Sequence, residues 1–281
     1  MNNNFSTNHI SQEDLAAIKS AKSSMEDIGM LMQGLNKLGE GIDSGVKMIP
    51  QKQQLWLQKN VNNILMTLVK SNLATMEKGN SFKKPSPKVY KTLVTASGII
   101  SGALGAATGI GTALFASELA LSTNFIMRSI MDIARSEGED LYDIETQLSC
   151  LQVFSLGGNS KDDDGLETSY YTSKIALDNA LKGATSYISK NGISGLNKLL
   201  LNSANPLVKL ISTVTSRFTI QVSEKFIAQA VPLIGAAGGG SINYLFINHF
   251  QKMAKAHFTI RRLERKYGQE LVKTKYLEVS K

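Results

Sequence analysis

One cysteine, Cys150, in 281 residues excludes a disulfide framework within the chain and fits a reducing, cytosolic setting. Only five prolines against 23 glycines, with charged residues at 19%, exclude collagen-like, low-complexity and coiled-coil-only readings. The three histidines contain no HExxH pair, and no GxSxG elbow or GK[ST] phosphate loop occurs. His249 and His257, eight residues apart on a helix, would lie about 12 Å apart, too far to share a metal. No helix-turn-helix, zinc-finger spacing or aromatic RNA-binding signature accompanies the basic balance, so nucleic acid is not expected as a partner. No metal or cofactor is expected either. A basic-then-apolar secretion signal is missing from the Asn-rich opening residues, and no sustained period-two alternation points to strands. What remains is an all-α class: a multi-helix bundle with two Gly/Ala-rich central helices.

Those two helices stand out because charge avoids them. Residues 92–127 carry one charged side chain, Glu118, and residues 226–251 carry none with His249 neutral. Each run reaches the roughly 20 residues that cross a bilayer as a helix. Their Gly, Ala, Ser and Thr content keeps the transfer free energy modest, so insertion into a membrane and tight packing in a soluble bundle both stay open. The four-residue spacing of Gly98 with Gly102 and Gly105 with Gly109 clears one helix face for close approach, and Gly235, Gly238 and Gly239 offer a second smooth surface. Cations flank both runs. Lys83, Lys84, Lys88 and Lys91 precede the first; Lys252, Lys255, Arg261, Arg262, Arg265 and Lys266 follow the second. Such a basic C-terminal helix suits anionic lipid or an acidic partner, at roughly 1 kcal/mol per cation near an anionic surface.

Helical periodicity reads near 11–38, 52–77, 117–138, 168–188, 206–230 and 236–266. Organisation follows from the breaks: a variable helical N-terminal region over 1–80, a basic linker over 81–91, a main helical domain over 92–270 and a tail over 271–281. The acidic loop 157–167, with Asp162, Asp163 and Asp164, reads as solvated, because it lacks the alternating oxygen ligands of an EF-hand.

Glu118 is the chief chemical candidate. An acid in apolar surroundings is costly unless paired. Arg128, ten residues on, lies about 15 Å away along the same helix, so Arg217 or Lys225 from a later helix is the better partner. Arg128, Asp132 and Arg135 share a helix face and are read as a structural ion-pair group. Cys150, beside Leu148, Leu151 and Phe154, reads as a core thiol. Glu118, Glu224 and His249 would be the acid and base groups of an alternative, hydrolytic reading.

Several longer stretches carry a resemblance. ELALSTNFIMRSIMDIARSEGE (118–139), CLQVFSLGG (150–158), the Tyr170–Tyr171 pair, RFTIQVSEKFIAQ (217–229) and VPLIGAAGGGSINYLFINHFQKMAKAHFTIRRLERKYG (231–268) together resemble the EcsC protein family over roughly 85–270. Ala120 stands where the family motif usually has proline. The resemblance implies a bacterial, helical, cytosolic or membrane-associated protein at the inner face of the cell membrane. It also implies a place near a transporter or other envelope protein. The expected function is a non-enzymatic accessory or interaction role; a protease-like label carried by some members corresponds to the hydrolytic alternative.

Overall fold

Pro206 and Pro232 each sit where a helix begins, a position that costs proline nothing because its missing N–H would be unpaired there. Between and beyond such signals the structure, a computed structural model, is all-helical. It describes residues 10–26, 30–36, 47, 49–77, 92, 95, 109–157, 169–192, 204–230 and 232–279. Nine α-helices occur among these residues: α1 (Gln12–Glu26), α2 (Met30–Asn36), α3 (Gln51–Glu77), α4 (Gly109–Ser136), α5 (Ile144–Gln152), α6 (Ser169–Asn191), α7 (Pro206–Ala230), α8 (Pro232–Tyr267) and α9 (Gln269–Glu278). The 36 residues of α8 extend about 54 Å at 1.5 Å per residue, and this helix is the spine of the bundle.

Side-chain contacts fix the directions of its neighbours. Glu118 meets Asn243, Ser129 meets Gln251 and Glu137 meets Arg262, so α4 and α8 run parallel. Lys225 lies over Phe246 while Phe218 meets Phe250 edge to face, so α7 runs antiparallel to α8. Trp56 of α3 touches both Phe115 and Phe226, which brings the starts of α3, α4 and α8 and the end of α7 to one end of the bundle. At the opposite end Asp14 of α1 meets Lys266, while Gly34 of α2 abuts Leu245, so α1 and α2 descend antiparallel along α8.

The core is aromatic at its centre. Phe154, Phe218, Phe246 and Phe250 are fully buried, with ring centroids 4.8 to 6.0 Å apart. A second cluster joins Tyr170 and Tyr171 of α6 to Tyr276 of α9 at 5.0 to 5.4 Å. Residues read from the sequence as a tail thus form a helix whose Val272 and Tyr276 are buried. Lys22 donates to the carbonyl of Val279 at 2.9 Å and holds that helix end against α1.

Among the described residues no helix is long and apolar enough to cross a membrane. Gly98, Gly102, Gly105, the linker 81–91 and Asp162 to Asp164 lie outside the described residues. Gly109 opens α4, and Gly235, Gly238 and Gly239 belong to the first turns of α8; their surroundings lie outside the described residues as well.

Candidate functional site

Glu118 and Lys225 meet where α4, α7 and α8 converge. Lys225 has no solvent exposure, and its Nζ lies 2.9 Å from Glu118 Oε2 and donates to Oε1 at 3.0 Å. Asn243 donates a second hydrogen bond to Oε1 at 2.8 Å, and Ser122 Oγ accepts from Lys225 at 3.3 Å. The ammonium also sits 4.7 Å from the centroid of Phe246. Burial depresses the Lys225 pKa, and the Glu118 carboxylate opposes that shift. Gln229, one turn beyond Lys225, is buried with neither amide atom hydrogen-bonded. Arg217 lies two turns before Lys225 on α7 and is partly exposed.

Of the remaining hydrolytic candidates, His249 lies near Gln221, with 3.4 Å between their Nε2 atoms. Burial pushes its pKa down to about 4, so the ring is neutral near pH 7. Its Nδ1 is buried without a hydrogen bond. Glu118 is bonded to Asn243, six residues before His249 and thus about 9 Å away along α8. Glu224 is buried on α7 beside Lys225 in sequence, turned by the roughly 100° that separates consecutive helical residues.

Sequence reasoning did not find the chain built on His257. Ser149 Oγ lies 3.0 Å from His257 Nε2, and Tyr170 OH lies 3.2 Å from Nδ1. All three are buried, and desolvation, then the charges of Arg261 and Lys174, keep His257 neutral. Nearby, Lys174 bridges Asp178 at 2.7 Å and Glu264 at 3.1 Å, and Tyr171 OH donates to Glu264 at 3.2 Å. Lys174, Asp178 and Glu264 line a cleft of about 260 Å³ together with Glu145, Lys182, Arg261 and Arg265, so both charge signs face it. Cys150, next to Ser149, is fully buried, and desolvation pushes its thiol well above the ordinary range.

The basic end of α8 also turns toward carboxylates. Arg261 Nε binds Glu139 at 2.9 Å and Nη2 binds Glu145 at 3.2 Å. Arg262 binds Glu137 at 2.8 Å and lies 3.5 Å from Asp14; Lys255 also pairs with Glu137, and Arg265 pairs with Glu139. Lys266 and Tyr267 both donate to Asp14 at 2.8 Å. Hydrogen bonding from Lys266 leads the effects that hold Asp14 at about 2, against the opposing effect of burial. Burial alone would raise Glu137 and Glu139, but their basic partners outweigh it and hold both below the usual carboxylate range. The Glu-Gly-Glu turn after α4 therefore clasps the end of α8, with Gly138 at φ +81 supplying the bend. Lys255 and Lys266 stay more than half exposed while paired, and Lys252 is exposed. Arg128 is exposed on α4, and Arg135 approaches Asp132 at 3.9 Å.

Among the described residues no group of three or more His, Cys, Asp or Glu could hold a metal ion. The class is thus an all-helical bundle whose interior carries a buried acid–lysine pair and whose long central helix ends in a carboxylate clasp. The model of the EcsC protein family matches residues 12–263, and the chain belongs to that family. The match begins at the start of α1 and so takes in helices that the motifs seen in the sequence did not reach. No curated protein and no solved structure matches the chain.

Proposed function

We propose that this EcsC-family protein is a non-enzymatic accessory protein that associates with the inner face of the cell membrane, beside a transporter or another envelope protein. The observation that carries the reading is the use the fold makes of its charges. Glu118, the acid a hydrolase would need, is engaged by Lys225 and Asn243 in the interior, whereas Arg128, Lys252, Lys255 and Lys266 are exposed cations of α4 and α8. An exposed cation near an anionic bilayer contributes roughly 1 kcal/mol, and pairing with a carboxylate reduces that for Lys255 and Lys266. The hydrolytic reading has less support, because the partners of Glu118 are Lys225 and Asn243, and His249 lies six residues, about 9 Å along α8, beyond Asn243. Flotation with phosphatidylserine vesicles tests the proposal. Co-flotation at low salt and release at high salt are expected; failure to float at low salt overturns it.

A further inference from the structure

The parallel pairing of α4 with α8 places features that are distant in sequence at the same height. Glu118 with Asn243 and Ser129 with Gln251 bracket Leu121 and Tyr244, which therefore lie within one helical turn of the same height on adjacent helices. Both are exposed, at 49% and 46%. Ala116, Ser117, Ala120 and Asn124 line the groove toward α3, and Leu121 and Arg128 lie on the exposed stripe of α4 between that groove and the Glu118 side that meets α8. Arg128 follows about 28 Å from the start of α4, and Lys252 about 30 Å from the start of α8. Over those lengths α4 carries one charged residue, the inward-facing Glu118, and α8 carries none, its His249 being buried and neutral. The outer side of this helix pair thus reads as a charge-free stretch with two apolar side chains, ending in two cations at one level.

We infer that this α4–α8 side is the surface that meets an anionic bilayer, with Leu121 and Tyr244 entering the acyl boundary and Arg128 and Lys252 meeting lipid phosphates. The inference rests on the membrane association proposed above and adds its orientation. Aromatic and apolar anchors next to Arg and Lys are the arrangement that suits the boundary between headgroups and hydrocarbon. Contact is along the side of the bundle. End-on entry would submerge the exposed Lys52 and Lys59 of α3, which runs beside α4. The stretches of α4 and α8 beside Arg128 and Lys252 carry one carboxylate, the buried Glu118, so a second copy docked on the same face offers these cations no exposed carboxylate from those stretches, whereas an anionic surface complements them.

Two measurements test the orientation. In the first, wild type, L121D/Y244D, R128E/K252E and the control K182E/K190E are floated with phosphatidylserine vesicles after thermal melting has shown each to be folded. Lys182 and Lys190 are exposed on α6, so the control loses the same formal charge elsewhere. A loss of vesicle affinity of tenfold or more in the two α4–α8 variants, with less than threefold in the control, supports the assignment; an equal response in all three variants overturns it. In the second, a polarity-sensitive dye is attached at Leu121→Cys or, for comparison, at Ile175→Cys on α6, the native Cys150 being buried. A vesicle-dependent blue shift at position 121 alone is expected. A shift at 175 alone overturns the orientation, as does a shift at 121 that arises without vesicles together with a doubled sedimentation mass, which would mean a second copy on this face. If wild type does not float, the membrane reading itself falls.

Discussion

Lys225 Nζ lies 2.9 Å from Glu118 Oε2 inside the bundle, a charge pair joining α7 to α4 at the height of Asn243 on α8. Removing one member strands the other in a low-dielectric interior, which typically costs about 3–5 kcal/mol, whereas replacing both by apolar residues of similar volume is often neutral. Urea unfolding of E118L and K225M is therefore expected to show large losses, with E118L/K225M recovering most of them. Additive losses in the double variant would mean that the two groups act independently.

Gly157 follows the short turn after α5 with φ +70, and a Cβ there would come 2.6 Å from Met253 Sδ and 2.7 Å from His249 Cε1. Gly268, at φ +89 between α8 and α9, has nothing within 4 Å of such an atom. Both alanine substitutions pay for the left-handed backbone, roughly 1–2 kcal/mol, but Gly157→Ala adds an overpacking cost of typically 1–3 kcal/mol. Thermal melts should rank Gly157→Ala clearly below Gly268→Ala. Equal melting temperatures would contradict the close approach of this turn to α8.

Much of this was legible in the sequence and some was not, for reasons that differ by residue. Pro206 and Pro232 mark helix starts that need no tertiary information, and Asn205 caps the first of them by accepting from Leu207 N at 2.8 Å. Glu118 was legible as an acid in need of a partner, because it stands alone in an uncharged run. The clasp was not. Helical spacing shows that Arg261 and Arg265 share a face, but Glu139 lies opposite only because α4 and α8 run parallel, which chain order does not fix. His257 likewise bonds Ser149 and Tyr170 from two other helices. Helix α9 buries only Val272 and Tyr276, four residues apart, too short a pattern to mark a docked helix before the tyrosine cluster of α6 is known.

The His249 ring gives a pH dependence with a definite sign. Its folded pKa is about 4, below the ordinary 6.5, so the unfolded chain takes up the proton first as pH falls. This contribution to stability is present above pH 6.5 and is lost as pH falls toward 4. It amounts to at most about 3 kcal/mol at 1.36 kcal/mol per pKa unit. Unfolding free energies at pH 7.5 and 5 should therefore fall less in His249→Gln than in wild type. An identical fall in both would show that His249 is not held neutral by burial.

Asp132 responds in the opposite sense. Its side chain is largely covered, Oδ2 makes no hydrogen bond and Arg135 is 3.9 Å away, so burial raises its pKa to about 6. A raised folded pKa contributes stability below the ordinary value of 3.8 that is lost as pH rises through 6. Asp132→Asn should melt higher than wild type at pH 8 and level with it near pH 4. A stabilisation of the same size at both pH values would contradict the raised pKa.

Flotation of wild type beside folded E118L/K225M tests the account most directly, because it joins a structural role for the buried pair to an external role for the cations. Both proteins are expected to rise with phosphatidylserine vesicles at low salt, to stay behind with neutral vesicles and to be released at high salt. Wild type that remains at the bottom of the gradient with phosphatidylserine at low salt would contradict the account.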